Sequence, residues 1–168
     1  MKNSLKKEIR QILDDDSWSY LHDDEKDTVS LLIEAEGFIN QLQVLITVYE
    51  DEDEFAMYSR VPVSPQADDA DTIARIDEFI DAVSRDDEAG FAFEQENNIC
   101  VCSIRCSHPD DPMEFRTIIL GFSLMASIVA QAVAEIIFHA LSGDEAMVYF
   151  KDQCRQFMSN PDDPQERN

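Results

Sequence analysis

Cysteine, histidine and carboxylate side chains are the groups in this chain that could carry chemistry, so their spacing is read first. Cys100, Cys102 and Cys106 share one short segment, and Cys154 stands apart. Structural zinc sites usually draw on C-x2-C pairs, whereas this spacing is C-x-C-x3-C. All three have one parity, together with Ile104, so on a strand they occupy one face. Free cysteine packs as a small hydrophobe, and buried reduced thiols are the favoured reading over a metal site or a redox role. Glu135 and His139 stand four apart and could pair or bind a metal. A catalytic base needs a positioned substrate and usually a third partner, so a hydrogen bond at a helix edge is favoured. His22 and His108 fall in loops with no evident partner. Acids cluster at residues 14–16, 23–25, 50–54, 68–71 and 86–88. None has the alternating ligands, central glycine and terminal Glu of a calcium loop, so solvated loop charge is the expectation. Nucleotide-binding glycine loops, a nucleophile elbow and H-E-x-x-H are absent. The expectation is no catalytic residue, no cofactor and no metal.

Those side chains sit in a chain of 168 residues, 44% hydrophobic, with 36 Asp and Glu against 13 Lys and Arg and a formal charge of −23. That length and composition suit one folded domain. A surface so negative repels phosphate backbones and anionic lipid, which sets aside nucleic-acid and membrane partners. Asp outnumbers Glu and Lys is scarce, a bias that would also suit salt adaptation. Near the N-terminus, Glu8 and Arg10 interrupt any apolar run of a signal peptide. A cytoplasmic protein with reduced thiols is expected.

The elements that must position these groups follow from periodicity. Leu5, Ile9, Ile12 and Leu13 recur at helical spacing, predicting a helix over residues 4–14 capped by Asn3 or Ser4. A polar connector with Trp18 and Tyr20 follows. Residues 28–36 and 41–50 alternate with period two, separated by a turn from Gly37 to Asn40. After an acidic turn at 50–54, Phe55 and Met57 open a third strand that ends before Pro62. Such short connections require an antiparallel meander. Ile73, Ile76, Phe79, Ile80 and Val83 trace a second helix. Gly90, Phe91 and Phe93 open a fourth strand, Asn97-Asn98 makes a turn, and residues 99–106 form a fifth. The prediction is an α+β fold with a five-stranded antiparallel sheet in the order α-β-β-β-α-β-β-α-α. One domain spans residues 1–158, and residues 159–168 form a disordered tail.

Residues 113–141 contain no proline and one glycine, Gly121. As a helix they span about 43 Å, and the apolar stretch raises the membrane question. Ser123, Ser127, Gln131, Glu135 and His139 recur every four residues, and charged groups at mid-bilayer depth are costly. A helix packed on the sheet, buried on most of its circumference with one wet edge, is predicted, closed by Gly143. One sheet in so small a domain covers that much apolar helix with difficulty. A homo-oligomer, most simply a dimer, is therefore expected through Ile118, Phe122, Met125, Val129, Val133 and Ile136. A last helix spans residues 144–158, with Met147, Phe150, Cys154 and Phe157 on one side.

Several segments carry a family resemblance: Trp18 and Tyr20 before the first strand, the strand LQVLITVYEDED running into its acidic turn, and Arg60-Val61-Pro62-Val63. Gly90-Phe91-Ala92-Phe93-Glu94 after the middle helix and Ile104-Arg105 before the long helix complete the set. Over residues 18–141 the chain resembles the YbjN family of small bacterial proteins. It departs from the family after the middle helix, where Ser84-Arg85-Asp86 stands in place of the usual asparagine. The resemblance implies a fold similar to type III secretion chaperones, which are acidic, dimeric and hold extended partner segments. It also implies a label of sensory-transduction regulator, and it brings no catalytic residues.

The expected function is thus a non-enzymatic protein-binding module, chaperone-like or a regulatory adaptor, with an unidentified protein partner. A regulator sensing a small ligand beneath the long helix, and an enzyme assembled from loops, are the alternatives. Leu32, Leu45 and Tyr58 have the parity opposite to the core residues of their strands, which places them on the sheet's second face as a partner-binding surface, unless the long helix or a second subunit covers it. A sheet edge can also add an extended peptide. The acidic loops would favour basic partners.

Overall fold

The computed structural model describes residues 4–23, 25–34, 37, 39–86 and 92–159. Helix α1, Leu5–Asp15, begins at Ser4, whose hydroxyl accepts the Lys7 N–H at 3.3 Å. It buries Leu5, Ile9, Ile12 and Leu13, the residues its periodicity selects. The strands are β1 (Tyr20–Asp23), β2 (Thr28–Glu34), β3 (Gln41–Tyr49), β4 (Glu54–Arg60), β5 (Ala92–Glu96) and β6 (Ile99–Ser107). They pair antiparallel in the order β1-β2-β3-β4-β6-β5. Helices α2 (Ala70–Asp86), α3 (Pro112–His139) and α4 (Gly143–Ser159) complete an α+β fold.

The sheet has six strands where five are expected. The added strand, β1, comes from the segment read as a polar connector. YLHD has no apolar run, so its pairing is decided by the exposed edge of β2, where Tyr20 lies opposite Leu31 and Asp23 opposite Thr28. The Asn97-Asn98 turn holds: both residues have positive φ (50° and 64°), which a two-residue hairpin loop needs. Gly90 and Phe91, and the tail from residue 160, lie outside the described residues; Ser159 still belongs to α4.

All four helices contribute to one continuous core with the side chains of one sheet face. Phe55 of β4 meets Phe115 of α3 with ring centroids 4.8 Å apart, and Phe79 of α2 meets Phe150 of α4 edge-on at 6.1 Å. Helix α3 is the one described helix long and apolar enough to cross a membrane, and 61% of its most apolar stretch is buried inside the fold.

Gly143 does not close α3. That helix ends at His139 because Ala140 turns left-handed (φ 55°), and the Ala140 carbonyl accepts a hydrogen bond from Arg75 of α2 at 3.0 Å. Gly143 instead opens α4 beside a capping box. Glu145 N–H donates to the Ser142 hydroxyl at 3.2 Å, and Ser142 N–H donates to the Glu145 carboxylate at 2.8 Å. A Cβ on Gly143 would stand 2.7 Å from Glu78, so the glycine lets α4 approach α2.

Candidate binding surface

Strand alternation puts every second residue of the sheet opposite the helices. The strand registers align Leu21, Ser30, Leu45, Tyr58 and Ser103 in one row across that second face. Leu32 is 52% exposed and Tyr58 37%, while Leu45 between them is half-buried. All three line one groove of about 780 Å³, together with Gln43, Arg60 and Ser103. A shallower depression of about 350 Å³ lies toward β1 under Leu21 and Thr28, and Leu45 belongs to both. The three residues singled out by parity are thus brought together. The same parity on β3, β4 and β6 is the signal that would have added Gln43, Arg60 and Ser103.

Between Leu32, Leu45 and Tyr58 this face offers apolar contact and neutral hydrogen bonding, with Arg60 and Glu94 also lining the groove. The Tyr58 phenol is held above the ordinary tyrosine value, first by its hydrogen bond with the Tyr49 hydroxyl and then by partial burial. Tyr49 also lies under the Arg105 guanidinium, 4.7 Å from the ring centroid. Arg105 is engaged by Glu52 and, at 2.6 Å, by Glu54. Arg60 is exposed at the groove and has no ion pair among the described residues.

The acidic turn at 50–54 is a junction rather than free loop charge. Glu50 accepts the Lys6 N–H in the first turn of α1 at 3.0 Å, where the helix dipole favours an anion. His108 is wedged between Asp53 at 2.8 Å and Glu8 at 3.0 Å, and His22 contacts Arg10. Neither histidine is the isolated loop residue its sequence context implies. Lys6 pairs with Asp27, and the hydrogen bond from that ammonium holds the Asp27 carboxyl below the ordinary aspartate range. Asp69 accepts the Thr72 N–H at 3.1 Å and is lowered by that residue's hydrogen bonds.

Glu135 and His139 form the expected pair on a helix edge, 2.5 Å apart. Cys100 and Cys102 are buried on the core face of β6, and Cys106 is half-buried on the same parity. A hydrogen bond with Cys100, then burial, drives the Cys102 thiol well above the usual range, and burial raises Cys106 and Cys154. A thiol raised in this way is a poor nucleophile. Among the described residues no three His, Cys, Asp or Glu side chains are placed to hold one metal ion.

Of the six residues expected at a dimer seam, four lie inside the chain's own core. Phe122, Val129, Val133 and Ile136 are fully buried within the chain's own core, and only Ile118 and Met125 reach its margin. The sheet, α2 and α4 together cover what one sheet could not. The polar edge of α3 is not uniformly wet either. Ser123 and Gln131 are buried. Gln131 donates to the Ile39 carbonyl at 3.0 Å, and its side-chain carbonyl lies 2.6 Å from where a Cβ on Gly37 would stand. Gly37 has φ +125°, a region L side chains rarely adopt, so glycine there lets the β2–β3 turn close on Gln131.

A second groove, of about 730 Å³, lies away from the open face, between α3, the end of α4 and Trp18. Its walls are Trp18, Leu120, Leu124 and Phe157, and Gly121 and Ser123 also line it. No family model matches the chain, and no curated protein matches it.

Proposed function

We propose that this chain is a non-enzymatic protein-binding module whose open sheet face seats an extended segment of a partner protein. The observation that carries the reading is the groove formed by Leu32, Leu45 and Tyr58 on a sheet face that no described helix covers. Apolar side chains of a partner strand would enter between these three, and Gln43 and Ser103 would meet its polar groups. Arg60 and Glu94 both line the groove, so its own charges offset each other and the apolar and neutral polar contacts carry the binding. The edges are less suited than the face. They are β1 and β5, of four and five residues, and short edges offer few backbone groups to an added strand.

Membership of the YbjN family, with a type III secretion chaperone-like fold and a cytoplasmic setting, belongs to the same proposal. Its support is the quoted segments, of which Arg60 and Pro62 line the groove. The binding reading needs no second subunit, since four of the six residues expected at a dimer seam are internal.

The test is capture of partners by the wild type and by a Leu45→Asp, Tyr58→Asp double variant that keeps its circular-dichroism spectrum. A photo-crosslinker attached at Ser103→Cys should join the captured protein. Recovery of the same proteins by both forms, or no crosslink from position 103, would overturn the assignment.

A further inference from the structure

Gly121 stands ten residues into a 28-residue helix, where glycine costs roughly 1 kcal/mol relative to alanine. Crowding does not require it, because a Cβ built there meets nothing within 4 Å. The space over it is the groove between α3 and α4. Two residues on, Ser123 is 5% exposed, lines the same groove, and its hydroxyl has no hydrogen-bond partner among the described residues. A buried hydroxyl left unpaired is destabilising. Two residues apart, the two do not share a helix face, but both line the one groove, so something occupying it could contact each. Of the other polar groups lining it, Ser127 donates to the Ser123 carbonyl at 2.9 Å, Thr117 to the Met113 carbonyl at 3.0 Å, and Gln131 to the Ile39 carbonyl, while Gln153 offers a further amide.

We infer that this groove is a binding site for an uncharged, largely apolar small molecule that hydrogen-bonds Ser123. Its volume lies within the range of about 300–1,000 Å³ typical of small-molecule sites, which combine apolar walls with few polar groups. Trp18 and Phe157 offer aromatic faces, and Leu120 and Leu124 the aliphatic wall. A serine hydroxyl moves between staggered positions by χ1 alone, so it can turn toward a ligand oxygen or N–H inside the groove. Charge sets the class. Among the described residues no Lys, Arg or His lines the groove, Glu34 does, and the chain carries −23. A carboxylate, phosphate or sulfonate finds repulsion and no partner there.

The site does not depend on the open sheet face, and one experiment separates them. The full chain is titrated with N-phenyl-1-naphthylamine, an uncharged two-part aromatic amine, and with 1-anilinonaphthalene-8-sulfonate, the same rings bearing a negative charge. The neutral probe should saturate at one per chain with a fluorescence rise, and the sulfonate should bind at least about tenfold more weakly, since like charges oppose it. Gly121→Leu places a side chain in the groove on a better helix former, so binding should be lost while the melting temperature holds or rises. Ser123→Ala should weaken the neutral probe about fivefold, the worth of one neutral hydrogen bond, again with no loss of melting temperature. The Leu45→Asp, Tyr58→Asp variant should bind the probe as the wild type does. The inference is overturned if the wild type fails to bind the neutral probe at about 100 μM, if Gly121→Leu binds it unchanged, or if the sulfonate binds equally well. A groove closed by a second copy would show as a dimer in light scattering that excludes the probe, and this too overturns it.

Discussion

Phe55 and Tyr58 stand three residues apart on β4 and face opposite ways. Phe55 is fully buried against Phe115 of α3. Tyr58 is more than a third exposed and shares a hydrogen bond with Tyr49. The same contrast runs through the sheet. On the helix side Val29, Leu31, Val44, Ile46 and Met57 enter the core. On the open side Ser30, Gln43 and Ser103 alternate with Leu32, Leu45 and Tyr58. The first face has the composition of an interior. The second mixes apolar, neutral polar and a few charged groups, as a sheet face open to water does. A strand cannot choose which face is covered, because its side chains alternate whatever lies above them. The helices make that choice.

The adjacent pair Val44 and Leu45 gives the sharpest way to break this comparison. Val44 is 0% exposed, and Val44→Asp buries a carboxylate without a partner, a cost of many kcal/mol; no cooperative urea transition is expected. Leu45→Asp, one residue away, should keep the transition within about 1 kcal/mol of wild type. Equal losses at both positions would mean that the second face is also covered.

The next largest effect contrasts Phe55→Ala with Tyr58→Ala. Removing a buried aromatic ring should cost about 3–5 kcal/mol in chemical denaturation, and the exposed one about 1 kcal/mol or less. Gln131→Ala comes next, at about 1–3 kcal/mol, because it strips the buried Ile39 carbonyl of its donor. Hydrogen exchange should then speed up at Ile39 and leave β6 unchanged.

The smallest effect is electrostatic. The folded-state pKa values of Asp27 and Asp69 lie below the ordinary carboxylate value. A depressed folded pKa adds stability above the unfolded pKa, near 4, and that stability is lost as pH falls through the folded value. Thermal melts from pH 7 to pH 3 should therefore fall through the acid range, and Lys6→Met should flatten part of that fall. A melting temperature that rises below pH 4 would contradict the hydrogen bonds that lower both carboxyls.

The meander, the first two helices and the shared parity of Leu32, Leu45 and Tyr58 are legible in the sequence, because each follows from a period of two or 3.6 along a single segment. Strand β1 is not, because its four residues have no pattern of their own and pair only where β2 offers an edge. The capping box at Ser142 and Glu145 stands in the sequence as S-x-x-E, but Gly143 between them equally fits a stop for the preceding helix.

By itself, the sequence determined which side chains share a face and that α3 is too apolar to stand alone in water. Only the tertiary structure decided where those faces go. It turned Phe122, Val129, Val133 and Ile136 inward, because α2 and α4 supply cover that no single-segment pattern contains. It tied the acids at 50–54 to Lys6, Arg105 and His108, residues far away along the chain. It also left the buried Ser123 hydroxyl without a partner among the described residues. The physical reason is range: periodicity is a property of neighbours in sequence, whereas burial and hydrogen-bond satisfaction depend on segments that meet only when the chain has folded.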